Sequence, residues 1–366
     1  MKSKSDLRIV IVGGGIGGAA AWNALRSKGF RADIYEQAPL LGEVGAGVGV
    51  RPPSVNCFKK WGLYEELEKV TSRSDHMEII AGDDHLFIKE QWPVLTEDKT
   101  DAYARLIHRA DLLNTLTAHI PKENLFLNHR MVDIIDHGHY AEVFFENGKK
   151  VEADLVIAAE GIRSPIRQKI IGDHQPIYSG YLAHRALIPK EAALGMDSED
   201  NIVRIYVDGN NSVYLLPLEG RNQVSVDATV PGKFAWRPNL TKEEIMDSVK
   251  GFGPTIQKII ENIKLEDIVS RPLCDLEPFD NWSTKCVTLV GDAAHAMLHN
   301  QGQGANMAIQ DGEVLAEMLE QSETIAEALQ KYQEKRKPIT KLYQELSRLF
   351  PTDQAETAFP EKAHFS

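Results

Sequence analysis

The stretch from residue 7 to residue 36 limits the possible folds more than any other part of the chain. A near-continuous apolar run over residues 7–12 is followed at once by Gly13-Gly14-Gly15-Ile16-Gly17-Gly18, which places a G-x-G-x-x-G spacing on Gly13, Gly15 and Gly18. Ala19-Ala20-Ala21 then opens a helix that reaches about Lys28 and stops at Gly29, and a second strand over residues 32–35 delivers Glu36, 18 positions beyond Gly18. An apolar run of this length suits a strand buried on both faces of a parallel sheet. Gly13 allows the tight turn, Gly15 lets backbone approach a pyrophosphate, and Gly18 lets the helix pack close to the strand. The helix start offers unpaired N–H groups to phosphate, and Glu36, with Gln37 beside it, can accept from ribose hydroxyls. The pattern reads as an adenine-dinucleotide site, compatible with either NAD or FAD.

Length and charge narrow the remaining possibilities. A chain of 366 residues buries enough surface to divide into two domains. With 41 basic and 53 acidic residues, the net charge of −12 disfavours nucleic acid and anionic membrane as partners. Three scattered cysteines, Cys57, Cys274 and Cys286, give neither a disulfide framework nor a zinc ribbon and read as reduced thiols. No metal site is expected, because His137 and His139 lack a third ligand and read as solvated. No stretch approaches the ~18 apolar residues of a membrane span. The first residues lack the pattern of a signal peptide, so the cytoplasm is the expected compartment. Oligomeric state is not legible.

Further segments carry the same signature. Gly45-Ala46-Gly47-Val48-Gly49-Val50 is a second glycine cluster, and residues 104–113 read as a short strand entering a helix at Arg109. Strands are expected at 125–127, 131–136, 140–145 and 150–152, the last two joined by a type I′ turn at Asn147-Gly148. Another buried strand ends at Glu160-Gly161, with Ser164 and Arg167 beyond. Strand 286–290 runs into Gly291-Asp292-Ala293-Ala294-His295, and Gly302-Gln303-Gly304-Ala305-Asn306 opens a helix through about Leu319. Alternation at 203–207 and 213–218 suits an antiparallel sheet, and the charge run 331–337 reads as the wet face of a helix.

These segments, in this order and over essentially the whole chain, resemble the single-component FAD-dependent aromatic hydroxylases typified by para-hydroxybenzoate and salicylate hydroxylases. Tyr178-Ser179-Gly180-Tyr181-Leu182-Ala183-His184-Arg185 is also similar to the segment entering the substrate domain of 6-hydroxynicotinate 3-monooxygenases. Tyr332, Arg336 and Pro338 match the closing helix. The resemblance implies an α/β fold with a discontinuous Rossmann-like FAD-binding domain (residues 1–74, 100–177 and 271–345). It further implies a β-sheet-rich substrate domain (75–99 and 178–270), C-terminal helices and a tail (346–366). It implies that Gly13, Gly15, Gly18, Glu36 and Gln37 hold the ADP half of FAD, with Gly47 close to the cofactor and Arg109 on its linking chain. Backbone near Met131 and Val132 would meet adenine, and Asp292 the ribityl or pyrophosphate. Gly304, Ala305 and Asn306 would aim N–H groups at the flavin's pyrimidine edge, where a helix terminus stabilises negative charge. The implied reaction uses NADH or NADPH as a transient reductant and O2, and passes a hydroxyl from a flavin hydroperoxide to an aromatic or phenolic small molecule. An oxidase or reductase without oxygen insertion is the alternative.

Departures from the family pattern bear on the substrate. Glu160 stands where aspartate is usual, and Ala296 and His299 stand at positions commonly held by proline. His299 could take a phenolic proton or simply pack against its loop. Gly49 and Asn211 stand about where the hydroxynicotinate enzymes carry histidines, which argues against that substrate. Arg185 suits either a substrate carboxylate or an ion pair at the domain junction, and Tyr214 either a substrate hydroxyl or the core.

Overall fold

The computed structural model describes residues 3–4, 6–42, 46–74, 76–91, 103–193 and 201–350. Gly45, residues 92–99 of the expected substrate domain and the expected tail beyond residue 350 lie outside the described residues.

The apolar run becomes the strand Ile9–Val12, the middle member of a five-stranded parallel sheet. Leu155–Ala158 and then Val287–Leu289 flank it on one side, and Ala32–Tyr35 and then Leu125–Phe126 on the other. All four residues of Ile9–Val12 are buried, as a strand covered by helices on both faces must be. Helix Ile16–Ser27 follows the glycine turn and packs against the long helix Gly304–Gln321. Their approach depends on small residues: a Cβ on Gly312 would lie 2.8 Å from Ala21 N.

A three-stranded antiparallel sheet, Met131–Asp136, Ala141–Phe145 and Lys150–Ala153, is attached beside it. Its second turn departs from the expected type I′. Only Gly148 has a positive φ (81°), and Gly148 N donates to Phe145 O at 3.0 Å. A type I′ turn requires both Asn147 and Gly148 to be left-handed, so this is a type I turn closed by a left-handed glycine.

A seven-stranded sheet forms the second layer. Its order is Val269–Asp275, Ile177–Pro189, Gln223–Pro231, Asn211–Leu218, Val203–Asp208, His76–Ala81 and Leu86–Gln91. One face packs Val213, Leu215, Val224, Val226 and Ala228 against helices Lys242–Ser248 and Pro254–Asn262. The opposite face turns toward the parallel-sheet layer. Between the two, strand Gly47–Val50 pairs with Ala104–His108, and Gly47 N donates to Ser225 Oγ at 2.9 Å.

Helix Ile325–Ser347 closes the structure. Its charge run is not uniformly wet, which corrects the sequence reading: Glu334 and Lys335 are exposed but Arg336 is 5 % exposed and ion-paired with Asp311 at 2.7 Å. The helical period turns residue 336 inward, where an aspartate on the neighbouring helix receives it. Among the described residues no helix is long and apolar enough to cross a membrane.

Candidate functional site

A cleft of about 1070 Å³ opens where the parallel strands end and the seven-stranded sheet begins. Open α/β sheets bind ligands beyond the carboxyl ends of their strands. The volume slightly exceeds the roughly 300–1,000 Å³ usual for small-molecule sites, as a cleft for a dinucleotide together with a second small molecule should.

The glycines divide the work as their spacing requires. Gly13 has φ 109°, and a Cβ there would lie 2.3 Å from Ala159 O. A Cβ on Gly18 would lie 1.9 Å from Gly13 O, so this glycine keeps helix against strand and sits behind the cleft wall. Gly15 lines the cleft, and a Cβ on it would meet no protein atom within 4 Å. The space beside it is a cradle for a ligand. Glu36 accepts from Gly14 N at 2.7 Å and from Ala38 N at 2.8 Å, tying the two loops together while lining the cleft with Gln37.

Gly47, Arg109, Asp292, Gly304 and Ala305 line the same cleft. A Cβ on Gly47 would lie 2.2 Å from Leu216 Cδ2 and 3.1 Å from Ser225 Cβ, so a side chain there would force Leu216 to move. Asn306 lies behind the lining: it accepts from Arg51 N at 2.8 Å and donates to Gly49 O at 2.8 Å, locking the helix tip to the glycine strand. Val132 is also outside the lining, 47 % exposed, while its neighbours His129, Arg130 and Met131 face the cleft. The strand begins at Met131, and its first two residues, Met131 and Val132, point to opposite faces. An FAD molecule fits this set of groups: an open glycine cradle, a carboxylate held for the ribose, and a helix start at Gly304.

The seven-stranded sheet contributes the rest of the lining. Met77, Ile79, Val203, Ile205 and Leu216, with Leu106, form an apolar wall. Beside it, Arg185 Nε lies 2.6 Å from Asp227 Oδ2, and Thr229 Oγ1 lies 3.1 Å from Asp227 Oδ1 and 3.1 Å from His299 Nε2. The His299 ring meets Tyr214 edge-on at 5.0 Å, and Tyr214 donates to Asn300 Oδ1 at 3.1 Å. Burial pushes the Asp227 carboxyl up, but Arg185 and His299 together outweigh it and hold it below the usual value. Burial drives His299 down to about 4, Asp227 opposing and Arg185 assisting, so the ring is neutral near neutral pH. Burial likewise raises the Tyr214 phenol. Glu160, also in the lining, is pushed up to about 7 by burial, against hydrogen bonds from Ser164 and Ile166 N.

Arg185, Tyr214 and His299, each weighed separately in the sequence between a role at the substrate and a structural one, all line this cleft, with Arg185 in an ion pair; Asp227, Thr229, Asn300 and Asp311 were not singled out. The first two had a visible signal. In Ser225-Val226-Asp227-Ala228-Thr229 the polar residues fall on one face of a strand, a stripe that reads as solvent-facing unless another layer covers it. Asn211 does not line the cleft; its amide donates to Ser248 O at 3.1 Å.

The profile of the FAD binding domain family matches residues 6–347. The 6-hydroxynicotinate 3-monooxygenase of Pseudomonas fluorescens is 30% identical over 331 residues, covering 86% of this chain and 83% of the relative. The 3-hydroxybenzoate 6-hydroxylase 1 of Aquipseudomonas alcaligenes is 30% identical over 352 residues, covering 93% and 87%. The crystal structure of Klebsiella pneumoniae HpxO complexed with FAD and uric acid superposes with a TM-score of 0.84 at 22% identity, covering 99% of this chain and 91% of that one. The chain belongs to the FAD binding domain family and is an FAD-dependent monooxygenase.

Proposed function

We propose that the protein hydroxylates a small aromatic compound, using O2 as the oxygen source and NADH or NADPH as the reductant. The observation that carries this reading is a single cleft shared by the dinucleotide loop, the helix tip at Gly304 and an apolar wall with hydrogen-bonding groups beside it. Its relatives named above act on hydroxynicotinate and hydroxybenzoate rings.

Bound FAD supplies the redox chemistry, accepting hydride and activating O2. The chain supplies position and electrostatics. Gly13 and Gly15 shape the turn that receives the pyrophosphate, Glu36 and Gln37 meet the ribose, and Met131 lies where adenine would rest. Arg109 and Asp292 hold the linking chain, and the N–H groups of Gly304 and Ala305 favour negative charge at the flavin's pyrimidine edge. The parallel-sheet portion thus serves as the FAD domain, and the seven-stranded sheet as the substrate domain. The apolar wall excludes water from the ring, and neutral His299 receives the proton of a ring hydroxyl, raising electron density on the carbon to be oxidised. The chain carries one dinucleotide fingerprint, so the reductant binds transiently on shared surface. Three free cysteines suit a reducing compartment such as the cytoplasm.

The test is NAD(P)H consumption by the yellow holoprotein against hydroxybenzoates, hydroxypyridines and simple phenols, with products identified by mass. Hydroxylated product in step with reductant consumed supports the reading. Reductant consumed with peroxide alone, for every compound, rejects it in favour of an oxidase.

A further inference from the structure

Beyond Glu36 the wall of the cleft is a kinked segment that ends in a histidine with one fixed tautomer. Asn128 takes the left-handed conformation (φ 58°), and the backbone around it is tied to the loop that carries Glu36. Glu36 N donates to Phe126 O at 2.9 Å, Asn128 N to Ala38 O at 3.1 Å, and His129 N to Glu36 O at 2.8 Å.

The His129 ring is pinned as firmly as its backbone. It meets Tyr35, Phe126 and Phe145 edge-on at 5.4, 5.9 and 5.3 Å, and its Nδ1 lies 2.7 Å from Leu127 O. A carbonyl can only accept, so the proton sits on Nδ1 and the neutral ring presents Nε2 as a lone pair. Nε2 makes no hydrogen bond to the described residues and remains open to solvent, on a residue that lines the cleft. Turning the ring over would place carbon against Leu127 O and give up the Nδ1–H bond, so the acceptor cannot exchange for a donor. Arg130 and Met131, the next two residues, line the cleft as well.

A lone acceptor beside a ribose-binding carboxylate discriminates between purines. Adenine carries a 6-amino donor, whereas guanine and hypoxanthine carry a 6-carbonyl acceptor at the same place. We propose that His129 selects adenine in the cofactor, its Nε2 accepting from the 6-amino group of the base. The inference rests on the placement of adenine beside Met131 given above and does not depend on which aromatic compound is hydroxylated. Tyr35, Phe126 and Phe145 are positioning residues: they fix the lone pair before the cofactor arrives, so no side chain has to be ordered on binding. A 6-carbonyl would set two lone pairs against one another and leave both without a donor.

Two measurements test the proposal. Protein loaded with FAD, with flavin hypoxanthine dinucleotide or with FMN is diluted, and affinity is read from the recovery of flavin fluorescence. Wild type should hold FAD about tenfold more tightly than the hypoxanthine analogue. His129→Phe keeps a flat ring among the three aromatics but has no lone pair, and the amide of His129→Gln can turn either its oxygen or its nitrogen to the base. In both variants the ratio should fall to about one. The second measurement needs no folded variant: 15N labelling of histidine in the wild type should show, for one ring, Nδ1 protonated and Nε2 bare, with the Nε2 resonance moving on addition of FAD and staying in place with the analogue. An analogue held as tightly as FAD, equal losses of both dinucleotides in His129→Phe, or no histidine resonance that separates the two overturns the inference while leaving adenine where it was placed. FAD held no more tightly than FMN overturns that placement and the inference with it.

Discussion

Asp311 Oδ2 accepts from His295 Nε2 at 2.6 Å, joining the short helix Asp292–His295 after the last parallel strand to the helix whose first turn lines the cleft. The same carboxylate accepts from Gly291 N at 2.8 Å and from Arg336 Nε at 2.7 Å, so three elements meet on one fully buried side chain. Burial pushes the Asp311 carboxyl up, but His295 and Arg336 outweigh it and hold it at about 2.

Asp311→Asn should therefore cost about 3–5 kcal/mol near neutral pH, the usual penalty for removing one member of a buried charged cluster. The folded value of about 2 lies below the unfolded value of roughly 3.9. The contribution is thus complete above about pH 4 and lost as pH falls toward 2, so the deficit of the variant should shrink over that window. Urea unfolding of wild type and variant at several pH values checks the sign and the window.

Gly15→Ala and Gly18→Ala should fail in different ways. A Cβ at residue 18 would collide with Gly13 O, so that variant should melt several degrees lower even without cofactor. At residue 15 the backbone is extended (φ −73°) and a Cβ meets no protein atom, so the cofactor-free protein should keep its melting temperature while FAD affinity falls. Thermal melts with and without FAD, alongside FAD titration, separate the two.

Glu160 should make the fold less stable as pH rises. Its folded value of about 7 is above the unfolded value of roughly 4.3, so the native state binds the extra proton between them and stability falls across that interval. Glu160→Gln should remove this slope and raise the melting temperature at about pH 8 more than at about pH 5. Equal gains at both pH values would mean that residue 160 does not titrate in this range.

Arg185→Met should move His299 upward in pH. The guanidinium pushes the ring toward its neutral form while Asp227 draws it toward the charged form, and the substitution leaves Asp227 uncompensated. The 15N titration of His299 is the direct measurement, with an upward shift expected.

The amino-acid sequence by itself determined the parallel sheet, the glycine turn, the acid at residue 36 and the helix beginning near Gly304. Each rests on local requirements: apolar runs for a strand covered on both faces, glycine where backbone or ligand comes close, and a helix start beside an anion. Only the tertiary structure decided the hydrogen bonds around His299 and the burial of Arg336. Thr229 is 70 residues from His299 along the chain, and Asp311 is 25 from Arg336. Whether a polar stripe such as Ser225, Asp227 and Thr229 faces water or a cleft depends on which layer covers it, and that is set by packing between distant segments rather than by local pattern.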